Sequence, residues 1–184
     1  MTQKILYIGI QETKPNVACA TTEIHLDIAR ACVEETTSVQ HTNEGIWNSL
    51  TWWDFPNWIR NFIWKAIHNA YKCGKYWCNI QGYKQRGDCQ VCSAEENIYY
   101  VLIECQTSGQ ELIWALVKEL LALCNLWFTK PRFGAILGCR LADYRSPKDQ
   151  PLTRANRLHA LIVSESAHLI WKIRGDWKIR LGVT

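Results

Sequence analysis

The sequence predicts a mainly α protein: an irregular domain of about five helices, with a small C-x2-C loop of the zinc-knuckle kind inserted between two of them. Three observations carry that expectation. Apolar residues recur at helical spacing in four separate segments. Hydrophobic residues make up 48% of the chain, enough to build a core and to exclude wholesale disorder. And three of the nine cysteines, Cys89, Cys92 and Cys105, fall where the helical pattern gives way to a turn-rich loop.

Residues 1–20 read as a lead-in. Ile5, Leu6, Ile8 and Ile10 fit neither the helical nor the strand period, and Lys14-Pro15-Asn16 breaks the chain. From Thr22 to Val33 the positions Ile24, Ile28, Ala29, Cys32 and Val33 make one helical face, with Thr21 or Thr22 as cap and His25 and Asp27 off that face. Glu34 to Ser38 reads as its end. Four tryptophans follow, Trp47, Trp52, Trp53 and Trp58, which serve either as packing between helices or as a stacking surface for bases.

The next helix has Asp54 as N-cap and Pro56 in its first turn. Its stripe is Phe55, Trp58, Ile59, Phe62, Ile63, Ala66 and Ile67, and Gly74 is its expected stop. Arg60, Lys65 and His68 lie away from the stripe or on its edge. Basic and aromatic residues then interleave (Lys72, Lys75, Tyr76, Lys84, Arg86), a pattern that suits a phosphate backbone and equally a solvated loop.

Ser108-Gly109-Gln110-Glu111 reads as a capping box, with Leu112, Ile113, Leu116, Val117, Leu120, Leu121 and Cys124 as the buried face behind it. The stretch from Arg132 to Gln150 reads as turns, with a surface loop at Ser146 to Pro151. A last long helix runs from Thr153 to Arg174, packing through Leu158, Leu161, Ile162, Leu169, Ile170 and Ile173, and Gly175 interrupts it. Glu165 and His168 stand one turn apart on it and read as a helix-surface contact, because no third group is placed to orient them.

The chemistry of the cysteines follows from their spacing. Two thiolates separated by two residues can share one cation, and zinc takes such ligands at about 2.3 Å in a four-ligand shell. Cys105, at the end of a short helical run, supplies a third. An odd cysteine count, no secretory leader and no run of roughly 20 apolar residues point to reduced thiols or metal ligands. The expected setting is intracellular, cytoplasmic or nuclear, without a membrane partner. A net charge of +4 permits nucleic-acid binding without demanding it. The acidic residues are scattered, with Asp143 alone between Ala142 and Tyr144, and the chain has no paired aspartates, no Gly-rich phosphate loop and no nucleophile elbow. No enzymatic activity and no small-molecule substrate are expected.

Taken together, the run Arg60 to His68, then Tyr76-Trp77, the Cys89-x2-Cys92 pair with Glu95-Glu96, Cys105 and Ile113-Trp114 resemble the zinc-binding domain of reverse transcriptases. That module lies toward the C-terminal end of non-LTR retrotransposon polyproteins and, in fungal versions, follows the polymerase and an RNase H domain. A looser likeness runs from Thr2-Gln3-Lys4-Ile5-Leu6-Tyr7 to Ile170-Trp171-Lys172-Ile173-Arg174. The resemblance implies a helical lead-in at 1–53 left from a linker after a missing RNase H domain, the zinc-binding-like domain at 54–128, and a loop with a long helix packed on it at 129–184. It also implies zinc as cofactor and RNA or DNA as partner. The family's histidine, five residues before the last cysteine, is Tyr100 here. A phenol with a pKa near 10 is a poor zinc ligand at pH 7, so Cys78, eleven residues before Cys89, is a possible substitute thiolate and His68 a further one. The alternative is a degenerate retroelement fragment without metal, acting as an all-helical interaction or scaffold protein.

Overall fold

In the computed structural model, which describes residues 19–107 and 109–180, the chain is mainly helical. No strand forms among the described residues, only isolated bridges. The first helix among the described residues, α1, is Ala20–Thr37, closed by Ser38 in the left-handed region (φ 59°), whose N–H returns to the Glu34 carbonyl at 2.8 Å. Its buried face is Thr22, Leu26, Ala29, Cys32 and Val33, while the expected Ile24 and Ile28 are exposed. The rotation has a backbone cause. A short helix, α6 (Phe133–Leu137), crosses α1 so closely that a Cβ on Gly134 would sit 2.3 Å from the Ile28 carbonyl oxygen. The Ile28 side chain therefore has to point elsewhere. His25 is also tied down, with Nδ1 3.0 Å from the carbonyls of both Ala66 and Ile67, where it satisfies the end of a neighbouring helix.

Helix α2 (Asn43–Leu50) starts at Thr42, whose hydroxyl accepts the Gly45 N–H at 3.0 Å. Of the four tryptophans around it, two pack: Trp47 stacks on His68, and Trp52 meets the edge of Phe55. Trp53 and Trp58 are exposed.

Helix α3 (Asn57–Ile67) buries Ile59, Phe62, Ile63, Ala66 and Ile67, the stripe the spacing predicts apart from Trp58. Two details differ from expectation. Asp54 does not cap it, because its carboxylate pairs at 2.7 Å with Arg157 of the last helix, and Pro56 takes the N-cap position. The helix ends at His68, not Gly74. Gly74 has φ +51° and its missing Cβ would lie 2.1 Å from the Glu96 carbonyl oxygen, so it is glycine for the close approach of a later loop.

A four-residue helix, α4 (Lys75–Cys78), leads to the cysteine loop. Helix α5 (Gln110–Leu123) starts from Gly109 at φ 69°, and Ser108, the expected cap, lies outside the described residues. Only Gln110, Trp114, Val117 and Leu121 are buried on it, whereas Leu112, Leu116, Leu120 and Cys124 are exposed. The core covers one narrow side of this leucine-rich helix, fixed by Trp114, whose Nε1 donates to the Leu102 carbonyl at 2.9 Å. Within the stretch expected to be turns, Phe133, Ile136, Leu137 and Cys139 are buried in α6 and the helical turn after it.

Helix α7 (Thr153–Arg180) runs 28 residues and passes through Gly175 without stopping. A single exposed glycine costs a helix about 1 kcal/mol, and the residues on either side are held by ion pairs described below. Its buried face is Ala160, Val163, Ser164, Ala167, Ile170 and Arg174, while Leu169 and Ile173 are exposed. One continuous cluster of buried residues, from Leu26 to Ile170, joins all these helices except α4. No helix among the described residues is long and apolar enough to cross a membrane.

His159 on α7 is enclosed against Phe128 and Tyr144, with Nδ1 3.0 Å from the Tyr144 hydroxyl, and burial lowers its pKa to about 4. The unfolded chain takes up this proton near 6.5, before the folded chain does. The stability it contributes is therefore intact above about pH 6.5 and is lost as the pH falls toward about 4. The ring is partly exposed, so the acid loss amounts to about 2 kcal/mol. Urea titrations of wild type and His159→Gln at pH 7 and pH 4.5 should show the smaller acid loss in the variant. Equal losses would remove His159 as the cause.

Candidate metal centre

The cysteine loop is built by two turns of different kinds. In the first, the Cys89 N–H bonds to the Ala94 carbonyl at 2.9 Å and the Ser93 N–H to the Cys89 carbonyl at 2.7 Å, with Ser93 in the left-handed region (φ 56°). A bridge between Asp88 and Glu95 closes its base. This fold-back brings Cys92 over Cys89. The second is a π-helical turn, Tyr100–Glu104, in which the Cys105 N–H reaches the Tyr100 carbonyl at 2.8 Å. Such a wide turn stacks residue i+5 over residue i and is seen often at functional sites. Here it sets Tyr100 and Cys105 side by side, which gives a structural meaning to their five-residue spacing.

The sulfurs of Cys89, Cys92 and Cys105 lie within 4.8 Å of one another, and those of Cys89 and Cys105 are 3.9 Å apart. A tetrahedron with 2.3 Å metal–sulfur bonds has edges of about 3.8 Å, so three thiolates in this arrangement could hold a metal ion. No other histidine, cysteine, aspartate or glutamate among the described residues joins the group. Cys89 and Cys105 are fully buried and Cys92 partly so. The Thr107 hydroxyl lies 3.1 Å from the Cys105 sulfur and 3.6 Å from that of Cys89. Burial disfavours the Cys89 thiolate, but the N–H groups of Cys92 and Val91 and the side chains of Thr107 and Cys92 outweigh it, and its pKa falls to about 6. These donors favour the thiolate, the form a metal ligand must take.

Tyr100 reaches the same point. It is buried, and its hydroxyl has no hydrogen bond of good geometry, although the sulfurs of Cys92, Cys105 and Cys89 surround it. Burial first, then those sulfurs, raise its pKa above the usual phenol value. A buried phenol oxygen facing three thiols stands where a fourth ligand to a shared ion would stand. The two substitutes considered from sequence are not in the group. Cys78 packs its sulfur beside Gly87, where a Cβ would meet it at 2.6 Å, and His68 is held by the Thr22 hydroxyl at 2.9 Å and by Trp47.

The ring of charge around the cysteines could not be read from sequence. Glu96, 3% exposed, forms an ion pair with Arg174, 2% exposed, and another with Lys178 at 2.7 Å, so the far end of α7 is locked to the cysteine loop. Burial opposes the Arg174 charge, while the sulfurs of Cys89 and Cys92 favour it. Burial and then Arg174 lower Lys178 to about 8. The signal available was the i, i+4 pair of cations on a helix and the Glu95-Glu96 signpost. Nothing local connected them.

Of the basic and aromatic residues, Lys72, Lys75, Tyr76, Lys84 and Arg86 are all exposed. Lys72 lies over the Tyr76 ring, and Arg86 covers Trp77 and Tyr83. Glu165 accepts a hydrogen bond from Trp58 at 3.3 Å, and His168 packs its ring against Phe62, so the two are held by separate contacts. Comparison of the chain with family models, with curated proteins and with solved structures matched none of them.

Proposed function

We propose that this chain is a non-catalytic, metal-stabilised module in which Cys89, Cys92 and Cys105 hold a zinc ion and the neighbouring basic and aromatic face contacts nucleic acid. The observation that carries the reading is the convergence of three sulfurs on one point beside an orphaned phenol oxygen. Zinc bound there would cross-link the cysteine loop to the π-helical turn. Three thiolates on a divalent ion leave one negative charge, and Arg174 and Lys178 together with Glu96 leave one positive, so the buried group as a whole is neutral. Iron or copper would also accept thiolates; zinc is the reading that a C-x2-C pair with a third cysteine favours. The nucleic-acid part rests on Lys72, Lys75, Tyr76, Lys84 and Arg86 and on the resemblance to the reverse transcriptase zinc-binding domain. A retroelement origin and a cytoplasmic or nuclear location, where thiols stay reduced, belong to the same proposal.

Tyr100 in place of histidine favours a second reading, a metal-free helical scaffold descended from such a module. One experiment separates them. Zinc content of the purified protein, and its affinity for a short RNA at two salt concentrations, should give about one ion per chain and an affinity that falls with salt. Protein with neither property leaves only the scaffold.

A further inference from the structure

Beside the metal centre, the end of α7 and the cysteine loop enclose a cavity of about 330 Å3. Three of its walls are indoles, those of Trp77, Trp171 and Trp177. Lys72 and Arg86 stand exposed at its edge, and Arg174, Lys178 and Glu96 also line it. Four cations thus face one carboxylate, and that carboxylate is already engaged by both Arg174 and Lys178. The tetrapeptide Trp171-Lys172-Ile173-Arg174 recurs as Trp177-Lys178-Ile179-Arg180, and the repeat places an indole of each copy on this cavity.

Arg174 supplies the second observation. It is 2% exposed, its guanidinium touches Glu96 through Nη2, and its Nε and Nη1 meet no oxygen or nitrogen acceptor. The sulfurs of Cys89 and Cys92 favour its charge, that of Cys89 also as a hydrogen-bond acceptor, and the guanidinium lies over the Trp177 ring, 4.5 Å from its centre. Buried cationic donors met by nothing stronger than a thiol are costly, and their presence in a cavity wall marks a place for a better acceptor.

Flat aromatic walls, a rim of exposed cations and weakly satisfied buried donors define one kind of ligand: a planar heteroaromatic ring with acceptor atoms, attached to an anion. The volume lies at the lower end of the range for small-molecule sites. We infer that this cavity receives one nucleotide of a single-stranded nucleic acid, its base against Trp177 and Trp77, an acceptor of the base on Arg174, and its phosphate between Lys72 and Arg86. The inference rests on the proposed nucleic-acid contact and narrows it to single strands and to one subsite.

The test uses the full chain, zinc-supplemented, with a fluorescently labelled eight-nucleotide single-stranded oligomer, the same oligomer with abasic sites, and a blunt duplex. Trp177→Ala and Arg86→Gln are the variants, both half-exposed or exposed positions outside the cysteine cluster, with melting temperature checked first. The intact oligomer is expected to bind more tightly than the abasic one and the duplex. Loss of a stacked base corresponds to a weakening of about 5- to 150-fold for Trp177→Ala. Arg86→Gln should flatten the dependence of log affinity on log salt by about 0.7, one phosphate contact on a single strand. Intact and abasic oligomers bound alike, or variants that bind as the wild type does, overturn the nucleotide subsite while leaving the general nucleic-acid contact standing. No binding of either oligomer or of duplex overturns both. Uridine monophosphate binding as tightly as the oligomer would also overturn it, by assigning the cavity to a free mononucleotide.

Discussion

Cys89→Ser is expected to abolish stoichiometric zinc binding and to lower the melting temperature by about 10 °C. The size follows from linkage: a ligand present at a thousand times its dissociation constant stabilises the fold by about 4 kcal/mol. In a chain of this length each kcal/mol moves the midpoint by roughly 2–4 °C. Cys89 carries the largest effect because it is fully buried, has its thiolate form favoured by the turn around it, and touches both Cys105 and Thr107. A buried serine has a cost of its own, so the decisive comparison is with and without a chelator. Chelation should destabilise the wild type and leave Cys89→Ser unmoved. The exposed and remote Cys124→Ser should behave as wild type in every arm. A Cys89→Ser protein that keeps its zinc, or a wild type indifferent to the chelator, ends the metal-knuckle reading.

That such a test could be framed at all reflects what a sequence carries locally. The convergence of Cys89, Cys92 and Cys105 was legible because a C-x2-C turn and a five-residue π turn each set their own geometry within a few residues. The stripe of α3 was legible for the same reason, since its apolar residues occupy one side and its polar residues the other. On α1, α5 and α7 the apolar residues encircle more of the helix than the core covers. Which of them are buried is decided by partners distant in sequence. Gly134 against Ile28 turns α1, and Trp114 bonding to Leu102 turns α5. Gly175 was misread as a stop because propensity is local, whereas the Arg174 and Lys178 pairs with Glu96 that hold the helix on both sides of it are not. The same long-range pairs build the charged wall of the cavity, so the most specific part of the candidate site was the least readable.

Tyr100, the residue beside the three cysteines, gives the second large effect. Tyr100→His is expected to tighten zinc binding on the order of 100-fold at pH 7. To ligate as phenolate, Tyr100 must lose a proton from a group that burial and three sulfurs hold above its normal pKa of 10, a cost exceeding about 4 kcal/mol at pH 7. An imidazole with a pKa near 6.5 is already mostly neutral there and loses nothing. Part of the phenolate cost is recovered by the metal's own charge, which is why the gain falls short of the full difference. The geometry is ready, because the π turn that sets residue 100 beside Cys105 is a backbone feature and survives the substitution. Competition with a chromophoric chelator measures the affinity. Across pH 6.5 to 9 the wild-type affinity should climb more steeply than that of the variant, since only the wild type must shed a phenolic proton. Tyr100→Phe completes the set: weaker binding than wild type means that the phenol oxygen is a ligand, and equal binding means that water fills the fourth position. If histidine at this position changes neither affinity nor pH dependence, residue 100 does not ligate the metal, and the cysteines form a different centre.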